Sequence, residues 1–207
     1  MRYARYVFVL LAVVLLVPVT AFADMNVALN ANVTLNGTFF QGGWGAGLTV
    51  DKQTVVDGVF FPKDWQWDQG PVWWDSVGQY GTGQNLVIDL NGVFDISKFI
   101  VQADDNDAYT LLYRNGAADA WHVIWDIPPY YAWGMQTRPN PYDNTQTFDL
   151  GYYIVATELM IQGADPSDHL YSVSEVQAFG HSVPEPATML LFGAGLTGIW
   201  AFRRKIK

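Results

Sequence analysis

Between Asp24 and Gly180, apolar and polar residues alternate over short runs closed by turn-forming residues, and no segment keeps a helical period with caps. The clearest runs predict strands at Asn85–Leu90, Lys98–Gln102, Tyr109–Arg114, Trp121–Trp125, Ala156–Gln162 and Ser172–Phe179, with Asn91-Gly92 and Asn115-Gly116 as turns. The strand from Trp121 should stop near Asp126, because Pro128 and Pro129 have no N–H to give a sheet ladder. From there to Tyr142 the chain reads as one long loop. Trp65 to Tyr80, where tryptophans mix with aspartates around Gly70-Pro71, also reads unlike core strand. A parallel sheet would need crossover helices, so the pattern favours an all-β, antiparallel sandwich or jelly roll.

The two ends break this pattern. Arg2 and Arg5 precede the apolar block Val7 to Val19, and small residues at Ala21 and Ala23 mark a cut before Asp24, so residues 1–23 read as a secretory signal peptide. Residues 189–202 carry no charge and are followed at once by Arg203, Arg204, Lys205 and Lys207. A helix of that length covers about 21 Å of a roughly 30 Å bilayer core, a marginal span suited to a temporary anchor. Its basic end stays cytoplasmic and the domain lies outside. Just before it, Val183-Pro184-Glu185-Pro186 holds the chain extended, where a processing enzyme can reach it. Proline motif, apolar helix and basic terminus in this order resemble the PEP-CTERM sorting signal. That resemblance implies an exosortase-type membrane protease as partner and removal of the tail at residues 183–207.

One domain, residues 24–182, remains, large enough to fold around its own core. The chain has no cysteine, so disulfides and thiol chemistry are excluded and stability must come from packing. Outside the two ends stand five basic side chains and nineteen carboxylates, a net charge near −14. Such a surface repels nucleic acid and anionic lipid.

Within the domain several short patterns follow one another in order: Asn26-Val27-Ala28, Val56-Asp57-Gly58, Leu86 to Leu90, Asp107-Ala108-Tyr109, Ala156 to Ile161, and the closing run Tyr171 to Gly180. Together they resemble the discoidin, or F5/8 type C, domain, a galactose-binding-like jelly roll. The resemblance implies one structural calcium ion held with the help of Asp57, in the Asp-Gly turn, and Glu175, in the last strand. The sequence departs from the family at Val59, where an oxygen-bearing residue is common. On turn and strand chemistry alone, Asp57 is equally an ordinary turn former and Glu175 a solvent-facing strand residue.

Asp104-Asp105-Asn106-Asp107 lacks the central glycine and closing glutamate of an EF-hand and reads as an Asx-rich turn between strands. His122, His169 and His181 are too scattered to spell a zinc site. Neither a nucleophile elbow nor a phosphate loop is present, and no carboxylate pair stands out for glycoside hydrolysis, so a hydrolase is the least favoured reading. Aromatic rings in loops suggest a different use, since sugars stack their C–H faces on Trp and Tyr while Asp, Asn or Gln bind hydroxyls. Trp65, Trp67, Tyr131 and Trp133 are the candidate platform, with core packing as the competing role; for Trp73, Trp74 and Trp121 core packing is preferred. The leading functional expectation is an exported, non-catalytic module that binds carbohydrate such as extracellular polysaccharide. The alternative is a structural or protein-binding matrix protein.

Overall fold

A computed structural model describes residues 23–43, 49–77, 83–164 and 168–183. The expected signal peptide up to Phe22, and the sorting tail beyond Val183 with Pro184, Glu185 and Pro186, lie outside the described residues. What is described is all-β: β1 (Met25–Asn26), β2 (Asn32–Asn36), β3 (Val72–Asp75), β4 (Asn85–Asp104), β5 (Tyr109–Arg114), β6 (His122–Ile127), β7 (Met135–Arg138), β8 (Phe148–Gly163) and β9 (Leu170–Ser182). A short 3-10 turn, Lys52–Val55, is capped by the Asp51 carboxylate. Every pairing is antiparallel.

The sandwich is made by long strands that serve both layers. The first stretch of β4, Asn85–Asp89, lies between β2 and the Glu158–Gln162 stretch of β8, while Phe94–Ala103 pairs with β9. At Asn91-Gly92 the sequence pattern predicts a hairpin turn; the chain instead continues as one strand of 20 residues with a register break there. Asn91 takes a left-handed φ of 58°, and the local bend, not a reversal, sends the strand from one layer into the other. One layer is thus β2, the start of β4, the end of β8, β5 and β6; the other is β1, β3, β9, the end of β4 and β7. Val33, Leu86, Ile88, Leu111 and Ile161 from the first meet Val72, Trp74, Phe99, Val101 and Val176 from the second in a single core. Trp74 stacks on Tyr171 at 5.3 Å, and Trp125 on Phe148 at 4.3 Å.

Two more corrections fall in the stretches read as loop. Trp65 to Tyr80 contains β3, whose Trp73 and Trp74 are fully buried, as preferred for them. Trp121, also expected in the core, is half-buried with the Arg114 guanidinium 4.5 Å above its ring. The long loop to Tyr142 contains β7, all four residues of which are buried against Val101–Asp104. Three of those four are polar, so hydrophobic alternation gave no sign of the strand; side-chain hydrogen bonds replace it. The fully buried Arg138 donates from Nη1 to the carbonyls of Ala103 (2.7 Å) and Gln136 (2.8 Å), and from Nη2 to that of Asp104 (2.8 Å). Thr137 and Gln136 donate to Asn144 Oδ1 and Asp64 Oδ1.

The Asx-rich turn does join β4 to β5, but Asp104, Asp105 and Asp107 are buried in it rather than solvated. Burial pushes the Asp105 carboxyl up from the usual carboxylate range, against the pull of the Arg138 charge. Asp104 is pushed up to about 7, first by burial and then by the negative charges of Asp107, Asp105 and Asp168, against a pull from the Asp105 N–H at 2.9 Å.

Replacing Arg138 by Met would keep the volume but strip three carbonyls of their donor and the carboxylates of their cation. Urea unfolding should show a loss of about 3–5 kcal/mol, against no resolvable change for the exposed Lys63→Met control. Asp104 gives a pH signature. Its folded pKa lies above the unfolded value of 3.8, so the folded state holds a proton that the unfolded chain has released, and stability falls as pH rises from about 4 through about 7. Melting curves across that range should fall less steeply for Asp104→Asn than for the native chain; parallel curves would contradict the assignment.

Candidate functional site

One loop organises the outer face of the second layer. Gln102 of β4 and Glu175 of β9 are direct cross-strand partners, both fully buried, and both reach out to residues 57–61. The Gln102 amide accepts from the Phe61 N–H at 2.8 Å and donates to the Phe61 carbonyl at 2.9 Å, a two-point clasp on the backbone. It also accepts from the Ser174 hydroxyl at 2.7 Å. Glu175 accepts from the Gly58 N–H at 3.2 Å and from Gln177 Nε2 at 3.0 Å. The loop is thereby pinned to the sheet before it reaches its tryptophans.

At its far end the loop is clamped to the first residue of β7. The Met135 N–H donates to the Trp65 carbonyl at 2.9 Å, and the Asp64 N–H donates to the Met135 carbonyl at 3.0 Å, a bridge that joins two segments 70 residues apart. Gly134 makes that approach possible. Its φ is 70°, and a Cβ there would stand 2.4 Å from the Trp65 carbonyl oxygen. Gln136 Nε2 ties Asp64 Oδ1 (2.5 Å) and the Trp133 carbonyl (3.5 Å) together from below. The Tyr130 N–H donates to the Asp105 carbonyl at 2.8 Å, and the Arg138 guanidinium lies 5.4 Å from the Tyr130 ring.

This arrangement leaves three of the four predicted platform residues open to solvent at one end of the sandwich. Trp65 is 42% exposed, Tyr131 81% and Trp133 60%. The Trp65 indole N–H is engaged by the Gln69 carbonyl at 2.6 Å, which fixes the ring. Trp67 is placed differently: it is half-buried, edge-on to Trp73 at 5.3 Å, and its carbonyl accepts from the Ser172 hydroxyl. Polar groups flank the open rings. Lys63 Nζ stands 2.7 Å from the Asp64 carboxylate and 5.2 Å from the ring of the exposed Tyr142.

Asp57 and Glu175 come together at the root of the same loop. Glu175 is buried, not solvent-facing, and its carboxyl is pushed up to about 8, first by burial, with the nearby Asp57 charge adding to the shift and the N–H donors of Gln177 and Gly58 opposing it. Asp57 is exposed and accepts from the Val59 N–H at 2.8 Å, while the Val59 side chain points into solvent. Among the described residues Glu175 pairs with no basic side chain; its two carboxylate oxygens accept from the Gly58 N–H and from Gln177 Nε2, while the exposed Asp57 carboxylate stands nearby. Among the described residues no group of three or more His, Cys or acidic side chains has the spacing to hold a metal, so carbonyls would have to complete the shell. The scattered histidines stay apart: His122 lies beside Asp119, and His181 between Asp24 and Asp95.

Sequence reasoning missed Gln102, Arg138 and Gly134, which hold the site without entering it. The Trp133-Gly134 step beside a polar run was the available signal for the last two.

Residues 182–205 match the PEP-CTERM protein-sorting motif; of the predicted sorting sequence only Val183 lies within the described residues. No curated protein sequence matches the chain. A fucolectin from striped bass (Morone saxatilis) serum superposes with a TM-score of 0.51 at 14% identity, over 80% of this chain and 52% of the lectin chain. The chain thus spans about half the length of that lectin chain. The family 32 module of Clostridium perfringens NanJ, solved with galactose, superposes with a TM-score of 0.48 at 12% identity, over 76% of this chain and 98% of the module. A Streptococcus pneumoniae fucose-binding module gives a TM-score of 0.48 at 11% identity, over 76% and 96%. Identities this low speak for fold, not for ligand. The described domain is a galactose-binding-like antiparallel jelly roll, and the chain carries a PEP-CTERM protein-sorting motif at its residues 182–205.

Proposed function

We propose that this protein is an exported, non-catalytic module that binds neutral polysaccharide through Trp65, Tyr131 and Trp133, with Trp67 as their support. The observation that carries the reading is the clamp between Asp64-Trp65 and Met135, which presents exposed rings on two loops whose backbones are already fixed. Rings held in place lose little entropy on binding, and sugar C–H faces are the natural complement to flat aromatic surface ringed by polar side chains. A domain near −14 repels polyanionic glycans, and exposed rings that stack on sugar C–H faces suit neutral extracellular polysaccharide as the ligand class. The solved relatives include galactose- and fucose-binding modules, a binding chemistry compatible with this face. The sorting motif implies export and surface association, and the tail is the substrate of an exosortase-type membrane protease.

Retention of the full chain, held in a sugar-free detergent, on immobilised neutral polysaccharides tests the reading. Native protein should be retained; Trp65→Ala and Trp133→Ala should each weaken retention at least about tenfold while melting within a few degrees of native, since each ring is exposed. Unchanged retention in both variants would move the site elsewhere, and no retention of native protein on any neutral glycan would favour the structural matrix role.

We further propose that Asp57 and Glu175 hold one calcium ion that fastens the root of the loop. A cation bound only by the folded state raises its stability, and an adjacent divalent charge would draw Glu175 back into its ionised form. Calcium at about 100 times its dissociation constant should add about 2.7 kcal/mol to the unfolding free energy. Glu175→Gln should abolish that increment. A melting temperature unmoved by calcium and by chelator would remove both residues from any metal role.

A further inference from the structure

The chain's two described ends meet at the end of the sandwich opposite the aromatic loops. On β4, Ala103 and Asp104 pair with Gln136 and Met135 beside the clamp, whereas Phe94 and Asp95, some ten residues earlier, pair with Ser182 and His181. Met25 pairs with Gly180, and the Val183 N–H donates to the Val93 carbonyl at 2.9 Å. Asp24, the first residue after the predicted cleavage site, is bound into this end by Lys98 at 3.1 Å, by His181 at 3.6 Å and by the Tyr153 hydroxyl at 3.4 Å.

Around the root of the tail stands a second exposed apolar and aromatic group. Tyr152 is 62% exposed, Tyr153 52%, and Met25, Val93 and Val155 are also open. Val155 is the cross-strand partner of Asp95, which itself pairs with His181, and the Tyr153 ring meets the His181 ring edge-on at 5.1 Å. These side chains therefore encircle the point where the chain leaves the domain. From Val183 to the uncharged run that begins at Met189 there are only five residues, so the two points can stand about 22 Å apart at most.

We infer that this face is a seat for the lipid surface: Met25, Val93, Tyr152, Tyr153 and Val155 rest in the headgroup region while the tail holds the protein. The inference rests on the reading of residues 189–202 as a membrane span. So short a linker leaves the domain no room to stand clear of the bilayer, and tyrosines with an apolar body and a wet hydroxyl are the side chains that favour that depth. The charges at this end suit a zwitterionic surface and not an anionic one: Asp24 pairs with Lys98, Asp149 also stands near Lys98, and Asp95 lies beside His181. The seat also turns Trp65, Tyr131 and Trp133 away from the membrane, toward extracellular polymer.

The chain has no cysteine, so single cysteines report cleanly on spin-label depth. Full-length chain carrying Thr197→Cys, Tyr152→Cys, Val155→Cys or Trp133→Cys would be reconstituted in phosphatidylcholine vesicles, and collision rates with oxygen and with a water-soluble nickel chelate compared. The expected result is a lipid-type label at 197, an oxygen-to-nickel ratio at 152 and 155 several-fold above that at 133, and a fully aqueous label at 133. A lipid-type label at 197 with 152 and 155 as aqueous as 133 overturns the seat while sparing the tail. An aqueous label at 197 overturns both. Dipolar broadening between labels at 152 that disappears on dilution with unlabelled chain assigns the patch to self-association and also overturns the seat.

Discussion

The buried pair Gln102 and Glu175 is the constraint on which the working end of this protein depends. Both project from the outer face of the second layer, where a sandwich ordinarily meets water, and both are instead sealed by the backbone of residues 57–61. A buried amide costs stability unless each polar atom is paired, and Gln102 meets that condition with Phe61, Ser174 and Thr137. The cross-strand neighbours therefore define where the loop crosses the sheet. Everything beyond Phe61, including Trp65, inherits its position from that crossing. Glu175 differs from Gln102 in being an acid, so its share of the fastening depends on a proton or a cation, which links the root of the loop to the chemistry of the surroundings.

The second fastening, Asp64-Trp65 on Met135, depends in turn on β7, and β7 depends on Arg138. A strand with four buried residues, three of them polar, has no hydrophobic reason to dock. The guanidinium supplies one by collecting three backbone carbonyls and standing near Asp105 and Asp104. Burial of that many charges is costly, and their mutual compensation makes the region specific to one arrangement at the expense of raw stability. The aromatic rings are thus exposed by design of the layers beneath them: polar groups are buried so that apolar ones can face solvent.

This inversion explains what the sequence revealed and what it hid. Strands with ordinary alternation, such as Tyr109–Arg114 and the run ending at Phe179, were legible, as was the jelly-roll class. Asn91-Gly92 carries the chemistry of a hairpin turn, but the apolar residues on either side belong to different layers of one strand, a relation visible only once both partners are paired. β7 reads as loop in the sequence because its burial is polar. The candidate rings Trp65, Tyr131 and Trp133 stand out by composition alone, yet nothing local separates them from Trp67, whose edge packs on Trp73. Asp57 and Glu175 were reached only through family resemblance, because their proximity spans more than a hundred residues.

The central claim is that the clamped rings, and not the buried ones, meet the sugar. The indole N–H resonances of the full chain in detergent, followed by NMR during titration with neutral oligosaccharides, test it most directly. The account predicts that the Trp133 and Trp65 signals shift and saturate together while those of Trp73, Trp74 and Trp125 stay in place. Saturable shifts confined to other tryptophans, with Trp65 and Trp133 unmoved, would contradict it.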